Sequence, residues 1–116
     1  MSRAVHRYVS TATVNATLFR AGGTRLVGYN IINTGAAARY IKLYNRSSAP
    51  SQTDTPLLTI QVPANTDVEE MLGDAGLRFD AGLGYRIVAG VADADNTAIG
   101  AGEVLMQLIW ENAVGN

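Results

Sequence analysis

The stretch that decides the fold is residues 26–45, LVGYNIINTGAAARYIKLYN. Val, Ile and Tyr dominate both of its halves, and these residues are enriched in β-strands because they suit a pleated, half-buried surface. The halves are separated by residues 34–38, TGAAA, a five-residue connection containing glycine that is typical of a hairpin loop. The stretch therefore predicts two antiparallel strands that pair as a hairpin.

The alternation of side chains predicts a register for this hairpin. Ile41 and Leu43 share one face, which we expect to be the inner one because Lys42 on the other face must reach water. The predicted cross-strand pairs are Ile32–Tyr40, Ile31–Ile41, Tyr29–Leu43 and Gly28–Tyr44. This register places the ring of Tyr44 over Gly28, an arrangement that shields a strand glycine. A slip of one residue would turn the apolar face outward, so the register is strongly specified.

The rest of the chain repeats the pattern of short strands between turn residues. Alternation predicts further strands at residues 11–20, 57–62, 85–91 and 103–111. The last of these is apolar on both faces, as expected of a central strand or of one covered by a partner. Residues 66–72 fit either a capped helical turn or a strand. We favour a strand because the neighbouring segments with clear alternation are strands. Residues 1–10 could form a strand or an arm lying on a neighbouring molecule.

These segments predict an all-β protein with one domain. Seven or eight short strands with regularly spaced turn signals are typical of a single antiparallel β-sandwich, of jelly-roll or immunoglobulin-like type. A chain of 116 residues can bury a core without disulfides. Disulfides are excluded because the chain has no cysteine. We therefore expect the sandwich at residues 11–116, preceded by a candidate N-terminal arm at residues 1–10.

No constellation in the sequence predicts catalysis. Nucleophilic catalysis needs a base beside the nucleophile, and the one histidine, His6, lies near the start of the chain. The carboxylates between Asp67 and Asp80 lack a spacing specific to glycosidases, so we expect them to form a solvated rim. Asp93 and Asp95 could begin a calcium loop, but the required glycine and bidentate glutamate are missing, which favours a simple turn. We expect no enzymatic activity, no cofactor and no metal.

The composition favours protein partners over nucleic acid or a membrane. A net charge of −1 gives no argument for binding nucleic acid, and no apolar run is long enough to cross a bilayer. The first residues lack the apolar core of a secretory signal, so we expect folding in a cytoplasm. Among the nine Lys and Arg residues, only Lys42 is a lysine. Arginine makes planar, bidentate contacts and is enriched at protein interfaces.

Aromatic and cationic side chains give the clearest interaction signal. Tyr40 and Tyr44 share a strand face with Lys42 and are flanked by arginines, and tyrosine and arginine are enriched at contact hot spots. The same rings would suit a sugar, or could simply pack on the outer face of their own sheet. The second apolar face of the last strand is a further candidate contact surface. The candidate residues are Arg39, Tyr40, Lys42, Tyr44, Arg46, Leu105 and Ile109.

Several segments resemble small β-rich proteins of tailed bacteriophages. The similar segments are residues 33–45 (NTGAAARYIKLYN), 55–64 (TPLLTIQVPA), 76–84 (GLRFDAGLG) and the terminal apolar strand. The resemblance implies a structural protein of the virion, made in the host bacterial cytoplasm, that decorates or cements the capsid. Its partners would be the major capsid protein or other virion proteins, and such proteins commonly act as symmetric oligomers, often trimers. The alternatives are a tail, neck or head-fibre module, or a glycan-binding sandwich displayed on the particle.

Overall fold

A computed structural model describes residues 3–113 of the chain. It confirms the predicted all-β class, because nine strands in this range form two antiparallel sheets. The strands are β1 (Ala4–Val9), β2 (Thr17–Ala21), β3 (Thr24–Asn33), β4 (Arg39–Asn45), β5 (Leu58–Val62), β6 (Thr66–Met71), β7 (Leu77–Phe79), β8 (Gly82–Val88) and β9 (Val104–Asn112). Within this range no helix has the length and hydropathy that a membrane crossing requires.

The strand order identifies the sandwich as a jelly roll. Sheet A has the order β1-β9-β3-β6, with the short β7 pairing the other half of β3, and sheet B has the order β2-β8-β4-β5. Apart from β7, the strands pair like a long hairpin rolled up on itself: β1 with β9, β2 with β8, β3 with β6, and β4 with β5. This nested pairing distributes the strands over two packed sheets, as in jelly rolls.

The predicted hairpin between the two halves of residues 26–45 is wrong. Both halves are strands, but β3 lies in sheet A between β9 and β6, whereas β4 lies in sheet B between β8 and β5. Ile31 and Ile41 are both fully buried in the core, as expected, yet they belong to opposite sheets. Gly28 is covered by Met71 and not by Tyr44, since a Cβ at Gly28 would lie 2.6 Å from the Met71 sulfur.

Asn33 fixes the crossing from one sheet to the other. It ends β3, it is buried, and its side-chain nitrogen lies 2.9 Å from the Ala37 carbonyl oxygen. The same nitrogen lies 3.1 Å from the carbonyl oxygen of Val62 and 3.2 Å from that of Pro63, both at the end of β5. The Asn33 side-chain oxygen accepts a hydrogen bond from the Gly35 N–H. These bonds give polar groups of the loop hydrogen-bond partners and connect sheet A to sheet B. The strands β3 and β4 themselves do not pair.

We expect Asn33→Ala to lower the free energy of unfolding by about 2–3 kcal/mol, because it leaves several buried backbone groups unpaired. Urea denaturation measures the change. Thr34→Ala is the matched control, since it removes one exposed hydrogen bond to the Glu103 carbonyl oxygen and should cost less than about 1 kcal/mol. Equal stabilities of the two variants would show that Asn33 does not hold the crossing.

The second strand is shorter than the alternation predicted. β2 begins at Thr17 and not at residue 11, because the preceding residues form a loop around Asn15. The backbone of Asn15 has a left-handed φ of 57°, a conformation that asparagine adopts more readily than most residues. Its side chain accepts a hydrogen bond from the Thr11 N–H and donates to the Thr13 carbonyl oxygen. These local bonds replace a strand ladder.

The two segments that the sequence left open are both edge strands of sheet A. Residues 4–9 form β1, which pairs with β9, so the sandwich includes this strand and does not begin at residue 11. Residues 66–71 form β6, the favoured strand alternative. The strand β9 lies between β1 and β3, in agreement with the central position that its two apolar faces predicted. Parts of the predicted ranges, residues 1–2 and 114–116, lie outside the described residues.

The strand β8 begins three residues earlier than its alternation predicted, at a glycine. Gly82 has a φ of 149°, and a Cβ there would lie 2.5 Å from the Arg46 carbonyl oxygen and 2.6 Å from the Arg20 carbonyl oxygen. The backbone carbonyl groups of Arg20 and Arg46 thus lie so close to Gly82 that no side chain fits at this position. Because glycine is the residue that tolerates such an approach, Gly82 can serve as the first residue of the strand.

Candidate interaction surface

The predicted aromatic and cationic surface on sheet B is largely covered. Lys42 and Tyr44 point to the outer side of this sheet, but both are fully buried. The segment 89–97 lies over Lys42, whose ammonium group donates a hydrogen bond to the Ala92 carbonyl oxygen, and the Tyr44 hydroxyl accepts a hydrogen bond from Arg86. The expectation that Lys42 reaches water is therefore wrong. These two residues present no surface to a partner.

Arg86, which the sequence analysis did not single out, organises this cover. It is fully buried and pairs with Lys42 across β8 and β4. Its guanidinium donates to the hydroxyl of Tyr44 (3.1 Å), the carbonyl oxygen of Asp95 (2.7 Å) and the side-chain oxygen of Asn96 (2.8 Å). Burial, and then the nearby Arg86 charge, lower the pKa of Lys42. Arg86 thus makes most of the hydrogen bonds that hold the segment 89–97 against the outer side of sheet B, and Lys42 adds one.

The acidic segment around Asp95 forms a turn, which was the favoured interpretation. One carboxylate oxygen accepts hydrogen bonds from the N–H groups of Thr97 (3.0 Å) and Gly90 (3.2 Å). The bond from Thr97 is the main cause that lowers the pKa of the Asp95 carboxyl group. The carboxylate therefore closes the loop that covers Lys42 and Arg86.

The remaining candidates on this side are half-buried. Arg39 donates to both carboxylate oxygens of Glu103, at 2.7 and 3.2 Å, and this contact lowers the pKa of Glu103. Arg46 pairs with Asp54 at 2.6 Å. Tyr40 keeps part of its ring exposed. A sugar platform built from two tyrosines is therefore reduced to a single ring.

An aromatic cluster that the sequence analysis missed fills the side of the sandwich between β1 and β2. The ring of His6 stacks on Phe19 with centroids 4.1 Å apart, and its Nε2 lies 2.9 Å from the Tyr85 hydroxyl. Phe19 in turn meets Trp110 edge-on at 5.2 Å. Burial lowers the pKa of His6. The histidine is therefore a neutral packing residue at pH 7.

The stability of this cluster should depend on pH. The unfolded chain binds a proton on His6 near the ordinary pKa of about 6.5, whereas the folded chain binds it only at lower pH. We expect the free energy of unfolding to fall as the pH is lowered from 7 to 5, and this loss to be smaller in His6→Gln. Urea denaturation at the two pH values measures it. Glu103 and Asp95, whose pKa values are lowered, titrate below this window, so an equal loss in both proteins would contradict the assignment to His6.

The outer face of sheet A carries the other two candidates, Leu105 and Ile109. Residues paired directly across antiparallel strands point to the same face, so the register defines three rows across β1, β9, β3 and β6. The rows are Val5, Ile109, Gly28 and Met71; then Arg7, Gln107, Asn30 and Glu69; then Val9, Leu105, Ile32 and Asp67. We call these residues the sheet A face. It lies on the opposite side of the sandwich from the candidates Tyr40, Lys42 and Tyr44 of sheet B.

The sheet A face concentrates the exposed apolar surface of the protein. Val5 is 60% exposed, Met71 53% and Val9 42%. Of the five large apolar side chains exposed within residues 3–113, these three lie on this one face. Half-buried Ile109 and Leu105 continue the two apolar rows inward. Exposed apolar side chains grouped on one face among polar residues mark a candidate interaction site.

A cleft of about 330 Å³ extends this surface at one end. It shares Ile32 and Asp67 with the sheet A face and continues over the ends of β3 and β6. Its remaining lining residues are Asn33, Thr34, Asn65 and Thr66. The cleft therefore adds polar groups beside the apolar rows, within reach of the same partner.

The comparisons with known proteins gave one structural likeness. No family model and no curated protein matches the sequence. Among solved structures, the coat protein of Tobacco streak virus matches with a TM-score of 0.41 and 11% sequence identity, covering 96% of this chain and 88% of that chain. The fold assignment above rests on the strand order itself.

Proposed function

We propose that this chain is a structural protein of a virus particle that acts through protein–protein contacts and performs no catalysis. The observation that carries the proposal is the sheet A face, which leaves the apolar side chains of Val5, Val9 and Met71 exposed. The opposite side of the sandwich is covered by its own loop. A protein with one closed face and one open apolar face is suited to assembly.

The more specific proposal is that the protein decorates or cements a phage capsid. It is supported by the sequence resemblance, whose best segments, residues 33–45 and 55–64, include the crossing loop, β4 and β5. Decoration requires many modest contacts that act together, and repetition over a lattice adds such contacts by avidity. The partners would be the major capsid protein or other virion proteins.

The test is to locate and count the chain in purified particles of the virus that encodes it, by quantitative mass spectrometry and a particle map. We expect density on the head and a copy number of the same order as that of the major capsid protein. A few copies at the neck, tail or a head fibre would instead assign the chain to such a module. Absence from the particle would overturn the proposal.

A matched pair of variants tests whether the sheet A face makes the contact in the particle. Val5→Asp places a charge on the sheet A face, whereas Val91→Asp places the same charge on an apolar residue of similar exposure, 63% against 60%. We expect Val5→Asp to reduce incorporation into particles and Val91→Asp to leave it unchanged. Equal incorporation of the two variants would show that another surface makes the contact.

A further inference from the structure

We propose that the sheet A face binds a second copy of this chain, with a two-fold axis parallel to the strands. The inference rests on the proposed function for the role of this face, and it names the occupant. The two apolar rows, led by Val5 and Val9, enclose one polar row. That polar row carries opposite charges at its two ends, which determines how a second copy can be placed.

The charges of the central row are self-complementary. Arg7 lies at the β1 edge of the row and Glu69 at the β6 edge. Neither residue takes part in any of the ion pairs formed within the described part of the chain. A two-fold axis that lies between β9 and β3 and runs along the strands exchanges β1 with β6. It therefore places Arg7 of each copy opposite Glu69 of the other.

The alternative axis, perpendicular to the strands, is disfavoured by the same charges. It would place Arg7 against Arg7 and Glu69 against Glu69, and facing like charges are destabilising. The axis along the strands also brings Gln107 opposite Asn30 of the second copy. Within one copy the Gln107 amide donates to the Asn30 side-chain oxygen at 3.1 Å. That bond leaves the Gln107 carbonyl oxygen and the Asn30 amide group for pairing across the axis.

The apolar rows meet each other in this arrangement. Leu105 lies opposite Ile32 of the second copy, and Val5 lies opposite Met71. The arrangement is less complementary at two symmetry-related corners, where Val9 of each copy faces Asp67 of the other. Asp67 lies on the edge strand β6 at the rim of the face, so its exposed carboxylate stays in water.

The size of the face predicts a weak dimer. Four strands spaced by about 4.8 Å and five residues rising about 3.3 Å each define a patch of about 19 by 17 Å. Two such patches have a combined area of about 650 Å², which lies below the range for stable specific interfaces and in that of weak, transient contacts. We therefore expect dissociation in the micromolar range, and dimers that persist where many copies are held together.

Sedimentation equilibrium over that range tests the proposal on the full chain. We expect a monomer–dimer equilibrium that Arg7→Glu or Glu69→Arg alone weakens by at least about tenfold in Kd, since each creates two like-charge contacts. The double variant Arg7→Glu, Glu69→Arg restores the pairs with reversed sign and should recover most of the affinity. Val91→Asp should not change it. A monomer at every concentration, a trimer, or a double variant as weak as the single variants would overturn the proposal.

Crosslinking tests the axis itself without depending on the charge variants. The chain has no cysteine, so Arg7→Cys and Glu69→Cys each introduce one exposed thiol. A bismaleimide that spans the roughly 10 Å between packed sheets should link the two variants when they are mixed, and should link neither variant to itself. Self-linking of Arg7→Cys would indicate the perpendicular axis and overturn the proposal.

The two proposals can fail separately. A chain that remains monomeric but is present in the particle at high copy number contradicts only the two-fold dimer. A chain that forms the dimer with the expected crosslinks but is absent from the particle contradicts only the role in the virion.

Discussion

Arg86→Ala is expected to lower the free energy of unfolding by about 3–5 kcal/mol. The substitution empties a buried site beneath the segment 89–97 and leaves the Tyr44 hydroxyl, the Asp95 carbonyl and the Asn96 side chain without a donor. The total free energy of unfolding of a domain is about 5–15 kcal/mol, so the variant should be only marginally folded. Denaturation followed by the fluorescence of the single tryptophan measures the loss.

Lys42→Met is the control that separates packing from charge. Lys42 is as buried as Arg86, and burial disfavours its charge and so lowers the pKa of its ammonium group. Methionine fills most of the same volume without a charge, so the loss of one hydrogen bond to the Ala92 carbonyl oxygen is offset by the removal of a buried ammonium group. We expect a change within about 1 kcal/mol. A loss as large as that of Arg86→Ala would contradict the view that hydrogen bonding of the cover depends on Arg86.

Gly82→Ala is expected to lower the free energy of unfolding by about 3 kcal/mol or more. The new Cβ would lie within 2.6 Å of two backbone carbonyl oxygens, those of Arg46 and Arg20, and backbone cannot move aside as a flexible side chain can. The φ of 149° adds strain for any residue with a Cβ. Thermal and urea unfolding of the purified variant measure the cost.

Gly22→Ala isolates the contribution of the backbone angle. Gly22 also has a positive φ, of 92°, but a Cβ there would meet nothing within 4 Å. Only the conformational cost remains, and we expect a loss of about 1 kcal/mol. If Gly82→Ala cost no more than this, the close approach of the two carbonyl groups to β8 would not be a significant constraint.

The fold class was predictable from the sequence because alternation is a local property. Ile41 and Leu43 are buried as predicted, and β9 occupies the central position that was one of the two alternatives for its two apolar faces. Strand pairing was not predictable in the same way, since a short loop can either turn back in one sheet or cross to the other. The bonds of Asn33 to β5 decide between these outcomes, and they join residues that are distant in sequence.

The candidate surface was predictable only in part, for a related reason. Leu105 and Ile109 follow from the pattern of one strand, whereas the row from Arg7 to Glu69 exists only once the register of four strands is known. Lys42 was misassigned because a lysine on the outer side of a sheet is normally solvated. Nothing in its own strand indicates that a loop 50 residues later covers it.

The central position of β9 also constrains how the protein is made. Both β1 and the greater part of β3 pair with this strand, which is the last of the nine to be synthesised. A nascent chain therefore holds one strand without a sheet partner and another with an open side until Val104–Asn112 has left the ribosome. Contacts between residues so far apart in sequence form slowly. We expect folding to be completed after synthesis, with sheet A assembled in its final step and most exposed to aggregation before it.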